Sequence, residues 1–269
     1  MQPSGGDRTN LREDKVATAH DAPPRVGLIE YFFGGGKRFT SRYRFIEVLS
    51  VIAYAWVSWL ILVEIHAGVT RHPLVLWLII PVLLVSYVWA DFLSGMVHWC
   101  ADTYMSADTP FLGPKFVKPF REHHADPLAI TRHDFIEANG DNCFMSQCLL
   151  LPGYFFFPIR STELGTVLGM FTLFTSFGML LTSIAHGWSH MADPPWVVKI
   201  LQRWGLTLGP EHHAVHHVPP HRTHYCITTG WLNPLLDRIR FFHKLERVLA
   251  LVGIHPGVDA GVGDDDAPK

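Results

Sequence analysis

Residues 211–224 read EHHAVHHVPPHRTH, six histidines in fourteen positions. Three more groups share this chemistry. HWCAD places His98 and Asp102 four residues apart, REHHADP carries His123 and His124, and HGWSH carries His186 and His190, again four apart. The fourth group supplies His212, His213, His216 and His217, with His213–His217 reading as an HxxHH box and His212 beside it. Helical residues four apart share a face, with Cβ atoms about 5–6 Å apart, so such pairs can bind one ion together. Neutral imidazole suits Fe, Zn, Cu and Ni, and a carboxylate alongside moves the choice toward a harder ion such as iron. Thiolates are missing except for Cys100, which lies on another helical face from His98 and Asp102, and this weakens a structural zinc reading. A single catalytic zinc needs only three protein ligands. Two metals are the economical account, and two irons the favoured pair beside lipid. His20, His66, His72, His243 and His255 stand apart and read as polar anchors. His133, His221 and His224 are left open between ligand and supporting hydrogen-bond partner.

The elements that must hold these groups are greasy. The chain of 269 residues is 48% hydrophobic and only 17% charged, with a net charge of −2. That balance argues against nucleic acid, which calls for a strongly basic surface. The four cysteines form neither a zinc ribbon nor a CxxC motif and read as reduced. Apolar runs at residues 48–67, 74–99 and 166–188 reach the roughly 20 residues that a bilayer crossing takes. Pro81 is a candidate kink in the second. Residues 146–159 are shorter, hold two prolines, and read as a marginal further crossing or a re-entrant piece, the crossing making four in all. Lys37, Arg38, Arg42 and Arg44 precede the first run. Lys115, Lys118, Arg121 and Arg132 follow the second, and Lys199 through Arg247 follow the last. The positive-inside rule then places both termini and the central loop in the cytoplasm, which requires an even number of crossings. The expected fold is an all-α integral membrane four-helix bundle with a cytoplasmic helical cap carrying a His-rich dimetal site. Residues 1–25 read as a disordered tail, 26–249 as one membrane domain and 250–269 as an acidic tail.

A metal pair at the mouth of an apolar bundle can activate O2 against an unreactive C–H bond, which side chains alone cannot break. A transporter would instead place polar ligands near the bilayer midplane, whereas His98, His186 and His190 sit at span ends. The HExxH motif of a zinc hydrolase is absent.

The segments DFLSGMVHWCADTY, FREHHADPLAITRHDFIEANGDN, HGWSH and GPEHHAVHHVPPHRTHYCITTGWLNPLLD together resemble the plasmanylethanolamine desaturase family. The resemblance extends over roughly residues 34–249. It implies a membrane enzyme that turns the 1-O-alkyl chain of an ether phospholipid into a 1-O-alk-1'-enyl chain. It also implies two irons, O2 as co-substrate and electrons from a carrier such as cytochrome b5 or a ferredoxin with its reductase. The family's essential positions match His98, Asp102, His123, His124, His186, His190, His212, His213, His216 and His217. The spacing departs from the boxes of acyl-CoA desaturases, since only His213–His217 fits HxxHH, so those enzymes are no guide to ligand geometry. An acyl-lipid desaturase or hydroxylase on the same metal core is the nearest alternative. A non-enzymatic membrane metal-binding or signalling protein is the more distant one.

Overall fold

The computed structural model describes residues 41–110 and 113–257. The proposed tail at 1–25 and the acidic residues from 258 onward lie outside the described residues. Helices are the regular secondary structure of the described residues, without a strand among them. Four helices are long: α1 (Ser41–Arg71), α2 (Ile79–Thr103), α4 (Phe135–Phe156) and α5 (Glu163–Ser189). Between α2 and α4 lies the short α3 (Lys118–Ala125). After α5 come α6 (Trp196–Arg203), α7 (Pro210–Ala214), α8 (Asn233–Arg238) and α9 (Phe241–Leu251).

Local sequence explains the breaks. Pro73 has no N–H to continue the α1 ladder and pushes His72 out of helical geometry (φ −126°, ψ 68°). A short 3₁₀ turn over Pro73–Leu78 then reverses the chain into α2. Pro81 falls in the first turn of α2, where its missing N–H costs no intrahelical bond, so the expected mid-span kink does not arise. Asp134 caps α4 by accepting from the Glu137 N–H (2.8 Å), and Arg44 of α1 grips the same carboxylate through both Nη atoms (2.9 and 2.8 Å). Thr162 caps α5, accepting from the Gly165 N–H at 3.0 Å.

The stretch at 146–159 is not a separate short element. It is the later part of α4, a 22-residue helix that starts at Phe135 and continues past Pro152 to Phe156. Helices long and apolar enough to cross a membrane number three among the described residues: Tyr43–Arg71, Pro73–Thr103, which includes the 3₁₀ turn, and Glu163–Ser189. α4 is not one of them, because its first turns carry Glu137, Asn139, Asp141 and Asn142.

α5 is the hub and packs against α1, α2 and α4, while α4 also packs along α1. The distribution of side chains is inverted relative to a water-soluble protein. Trp56, Trp59, Trp77, Phe155, Phe156 and Phe177 face outward. Thr166, Thr172, Thr175, Ser176 and Thr182 of α5 are buried. Lipid satisfies apolar surface as well as a core does, so such helices associate through small side chains and close approach. Gly178 illustrates it: a Cβ built there would lie 2.6 Å from the Cβ of Ala90, so α5 and α2 cross nearly backbone to backbone. The ends of α2 and α5 that carry the histidines meet α3 and α7 on one side of the helices. Beside them Trp99 of α2, Tyr225, Cys226, Leu236 of α8 and Phe242 of α9 form an apolar core.

Candidate metal centre

His98 and Asp102 lie on the last turns of α2, and their i,i+4 spacing brings Nε2 and Oδ2 to 3.2 Å. Arg121 fixes that helix end by donating to the Met105 carbonyl (2.7 Å) and to those of Asp102 and Ala101 (3.3 and 3.4 Å). His186 is on the last turn of α5 and His190 caps it. α3 supplies His123 and His124. α7 supplies His213, and the turn after it His216 and His217.

These side chains form two adjoining groups. His123, His186, His190, His213 and His217 form one, and His98, Asp102, His124 and His216 the other. In each group the ligand atoms lie within 4.8 Å of one another. Sequence neighbours divide between them. His123 and His124 separate because successive helical residues point about 100° apart. His216 goes to the second group while His213 and His217 stay with the first.

Nine of the ten sequence-predicted ligands are brought together in this way. His212 stands outside both groups. α7 ends at Ala214, so the expected His212–His216 pairing is not formed. The His212 ring instead lies against Gly230, where a Cβ would sit 2.5 Å from it, and its Nε2 meets the Asn233 amide at 3.0 Å. Gly230 has φ +78°, a conformation that suits glycine. His221 stacks on His124 at 4.5 Å, His224 pairs with Asp237 at 2.8 Å and His133 with Glu137 at 2.8 Å, so these three support rather than join the groups.

The back of each ring explains its aim. Nδ1 of His98 faces the Tyr225 carbonyl at 3.0 Å, Nδ1 of His216 faces the Thr223 carbonyl at 2.7 Å, and Nδ1 of His123 faces the Phe120 carbonyl. A carbonyl only accepts, so each Nδ1 carries the proton and each Nε2 presents a bare lone pair. In the second group two such lone pairs face a carboxylate oxygen at 3.2 and 3.5 Å. In the first, the Nε2 atoms of His186, His190 and His213 stand 2.9, 2.9 and 3.3 Å apart, and that of His217 lies 3.0 Å from His213. The buried Nε2 of His123 and Oδ1 of Asp102 have no hydrogen-bond partner. Lone pairs gathered away from water repel unless a cation lies among them. At a metal–imidazole bond of about 2.1 Å, ligands at right angles lie about 3.0 Å apart, so the residues present fit metal ions. The donors are five imidazoles in one group and three imidazoles with one carboxylate in the other, without thiolate.

Burial and crowding set the protonation. Burial, then neighbouring histidines, holds His123 and His213 well below the usual histidine range. Burial lowers His217 to about 3 and His190 to about 4, with other histidines adding to the effect. It lowers His124 to about 2 against the opposing pull of Asp102. All five are therefore neutral at physiological pH, the form in which imidazole can bind a metal.

Sequence analysis missed the residues that hold the loop Tyr225 belongs to. Asp91, fully buried on α2, accepts from the N–H groups of Thr229 (2.8 Å), Gly230 (3.0 Å) and Leu232 (3.3 Å). Ser94 accepts from Ile227 N–H at 3.0 Å, and Asn233 brackets Cys226 by accepting from its N–H (2.8 Å) and donating to its carbonyl (2.9 Å). These bonds set the loop whose carbonyls aim His98 and His216. The signal was there, since a carboxylate inside an apolar span marks a special role.

A pocket opens beside the first group. It encloses roughly 1140 Å³ including its mouth, and His123 and His186 form part of its wall. Leu93, Val97, Phe116, Phe120, Met145 and Met179 make it largely apolar. The arrangement thus couples a metal-binding head to a slot suited to a hydrocarbon chain.

The chain belongs to the lipid desaturase family, whose domain matches residues 87–259. Among curated relatives it is 44% identical to plasmanylethanolamine desaturase 1 of Mus musculus, over 94% of each chain. It is 42% identical to the plasmanylethanolamine desaturase of Myxococcus xanthus, over 68% of this chain and 65% of that one. It is 33% identical to the chloroplastic fatty acid desaturase 4 of Arabidopsis thaliana, over 64% of this chain and 52% of that one. No solved structure matches.

Alanine at His190 or His217 is expected to lower bound metal to about half or less, because each removes a ligand from the five-histidine group. Alanine at His212 keeps the metal of the unaltered protein. Elemental analysis of purified protein in detergent distinguishes the two outcomes, and full metal in both His190→Ala and His217→Ala overturns the assignment. A second expectation concerns acid. The unfolded chain takes up protons on histidine near pH 6.5, but these folded histidines do not until about pH 4 or below. Chelator-treated protein therefore holds its thermal midpoint above about pH 7 and loses it steadily from about pH 6.5 to 4. A midpoint that stays level across that window contradicts the neutral cluster.

Proposed function

We propose that the protein desaturates the 1-O-alkyl chain of plasmanylethanolamine to a 1-O-alk-1'-enyl chain, forming a plasmalogen. The single observation that carries this reading is the apolar pocket walled by His123 and His186 of a two-part imidazole cluster, in a chain 44% identical to a plasmanylethanolamine desaturase. Two irons, held by His123, His186, His190, His213 and His217 and by His98, Asp102, His124 and His216, would supply O2 activation. The balance is R–O–CH2–CH2–R' + O2 + 2 electrons + 2 H⁺ → R–O–CH=CH–R' + 2 H2O. The two electrons come from a donor such as cytochrome b5 or a ferredoxin with its reductase. The chain's own residues bind the substrate, orient it and keep water out. Leu93, Met145 and Met179 take the alkyl chain, and Phe116 and Phe120 close the pocket beside the histidines.

The choice of an ether over an ester follows from depth. The imidazoles sit at the ends of α2 and α5, hence near head-group level, where a lipid presents the first carbons of its chain. An ether-linked chain can lose hydrogen from its first two carbons, whereas an ester carries a carbonyl at the first. The fatty acid desaturase of the plant relative's name keeps the acyl alternative open.

In the membrane, α4 acts as the fourth crossing of a four-helix bundle. At about 1.5 Å per residue its 22 residues reach about 33 Å. Its polar first turns face α1 and the pocket. α3 and the segments after α5 form the cytoplasmic cap, both termini lie on the cytoplasmic side, and residues 26–249 act as one domain.

Expressed in cells that make plasmanylethanolamine but lack the desaturase, the protein should yield lipids that release fatty aldehydes under mild acid, in an O2-dependent manner. A new acyl double bond without aldehyde release would transfer the assignment to an acyl-lipid desaturase. Accessibility tags at the two ends should both report the cytoplasmic side. One tag outside would mean that α4 does not cross.

A further inference from the structure

The pocket has a second chemical character that the metal groups and the chain-binding side chains do not use. On the wall formed by α1 and the first turns of α4 stand three carboxylates, Glu47, Glu137 and Asp141. No lysine or arginine is among the described residues that line it. The Glu47 side chain is 1% exposed and that of Glu137 5%. Arg44 spends its two short bonds on Asp134 and stands 3.5 Å from Glu47. His133 Nδ1 meets Glu137 Oε1 at 2.8 Å. The other oxygen, Glu137 Oε2, is buried and makes no hydrogen bond.

A carboxylate oxygen taken out of water with nothing to accept from is costly. Such an oxygen on a pocket wall marks the place of a group that arrives with its own protons and positive charge. Phenylalanine and methionine side chains of the same wall exclude the water that would otherwise screen it. Helix positions fix the neighbourhood. Glu137 and Asp141 are one turn apart on α4, and Gly140 between them lets α1 come so close that a Cβ there would stand 2.7 Å from the Glu47 side chain. The next residue, Asn142, donates to Ser183 Oγ (2.6 Å) and to the Met179 carbonyl (3.0 Å) of α5, the helix that carries His186. The acidic wall and the imidazole wall thus belong to one cavity, held together by the α4–α5 contact.

We propose that Glu137 is the residue that receives the ammonium group of the lipid head. The inference rests on the reading of the protein as an ether-lipid desaturase. It adds the residue that reads that head: Glu137 Oε2 accepts directly from the primary ammonium. A head of the same length without the charge leaves that oxygen unpaired, and specificity of this kind is large because the site's own buried group then bears the loss.

The test uses the full-length metal-loaded protein in phosphatidylcholine vesicles, given three 1-O-alkyl lipids with the same chains. Their heads are phosphoethanolamine, N-acetylphosphoethanolamine and phosphoglycerol. Vinyl ether formation should favour the ammonium head over the other two by at least roughly tenfold, the factor expected for one charge-assisted hydrogen bond. In Glu137→Gln the preference should fall to within about threefold with metal content unchanged. Equal conversion of all three lipids by the unaltered protein overturns the ammonium assignment and leaves the desaturase reading standing. Conversion of none overturns both. An undiminished preference in metal-loaded Glu137→Gln removes Glu137 from the role. If that variant does not hold metal, Glu137→Ala takes its place, and an undiminished preference there removes Glu137 from the role.

Discussion

Imidazole and carboxylate lone pairs cannot be gathered out of water at no cost, and the rest of this structure answers that constraint. His98 and His216 turn their bare Nε2 atoms toward Asp102 at 3.2 and 3.5 Å, a repulsive arrangement in the absence of a cation. Each is kept there from behind by a carbonyl, Tyr225 for one and Thr223 for the other. Those carbonyls lie in a loop held by Asp91, Ser94 and Asn233. The order of dependence runs from a buried aspartate on a span, through a loop, to the aim of two rings.

The long helices supply the fixed frame. Their outward aromatic and aliphatic side chains suit lipid, and their buried threonines, serines and glycines permit backbones to touch, as at Gly178 and Ala90. Rigid crossings of this kind hold the ends of α2 and α5 at a set distance, so His98 and His186 come within reach of the same small helices, α3 and α7. α3 serves both groups, and so does α7 taken with the turn that follows it. Displacing either segment would therefore disturb both groups at once.

The pocket joins two unlike demands. Its histidine wall needs neutral bases, and burial keeps His123 well below the ordinary range. Its other wall carries the carboxyl groups of Glu47, Glu137 and Asp141. The apolar side chains between them exclude water, which strengthens every electrostatic contact made inside. A long-chain lipid with a charged head is the kind of molecule that meets all three surfaces.

Much of this was legible in the sequence. Composition, span lengths and i,i+4 spacing suffice for an all-helical chain with membrane-spanning helices and for the nine residues that meet in the cluster, because helical periodicity is a local property. The sequence alone did not settle His212, since that depended on where α7 stops: one turn more of helix would have paired it with His216, and instead it faces Asn233. It also divided α4 wrongly, reading residues 146–159 as a unit, because the polar first turns hide a helix that is stabilised by Arg44 from α1 and by packing on α5. The allocation of His123 and His124 to different groups, the bracing of the loop by Asp91, and the meeting of Glu137 with the cavity that His186 lines were decided by the tertiary structure. Each joins residues far apart in the chain, and a spacing rule reports only on neighbours along a helix.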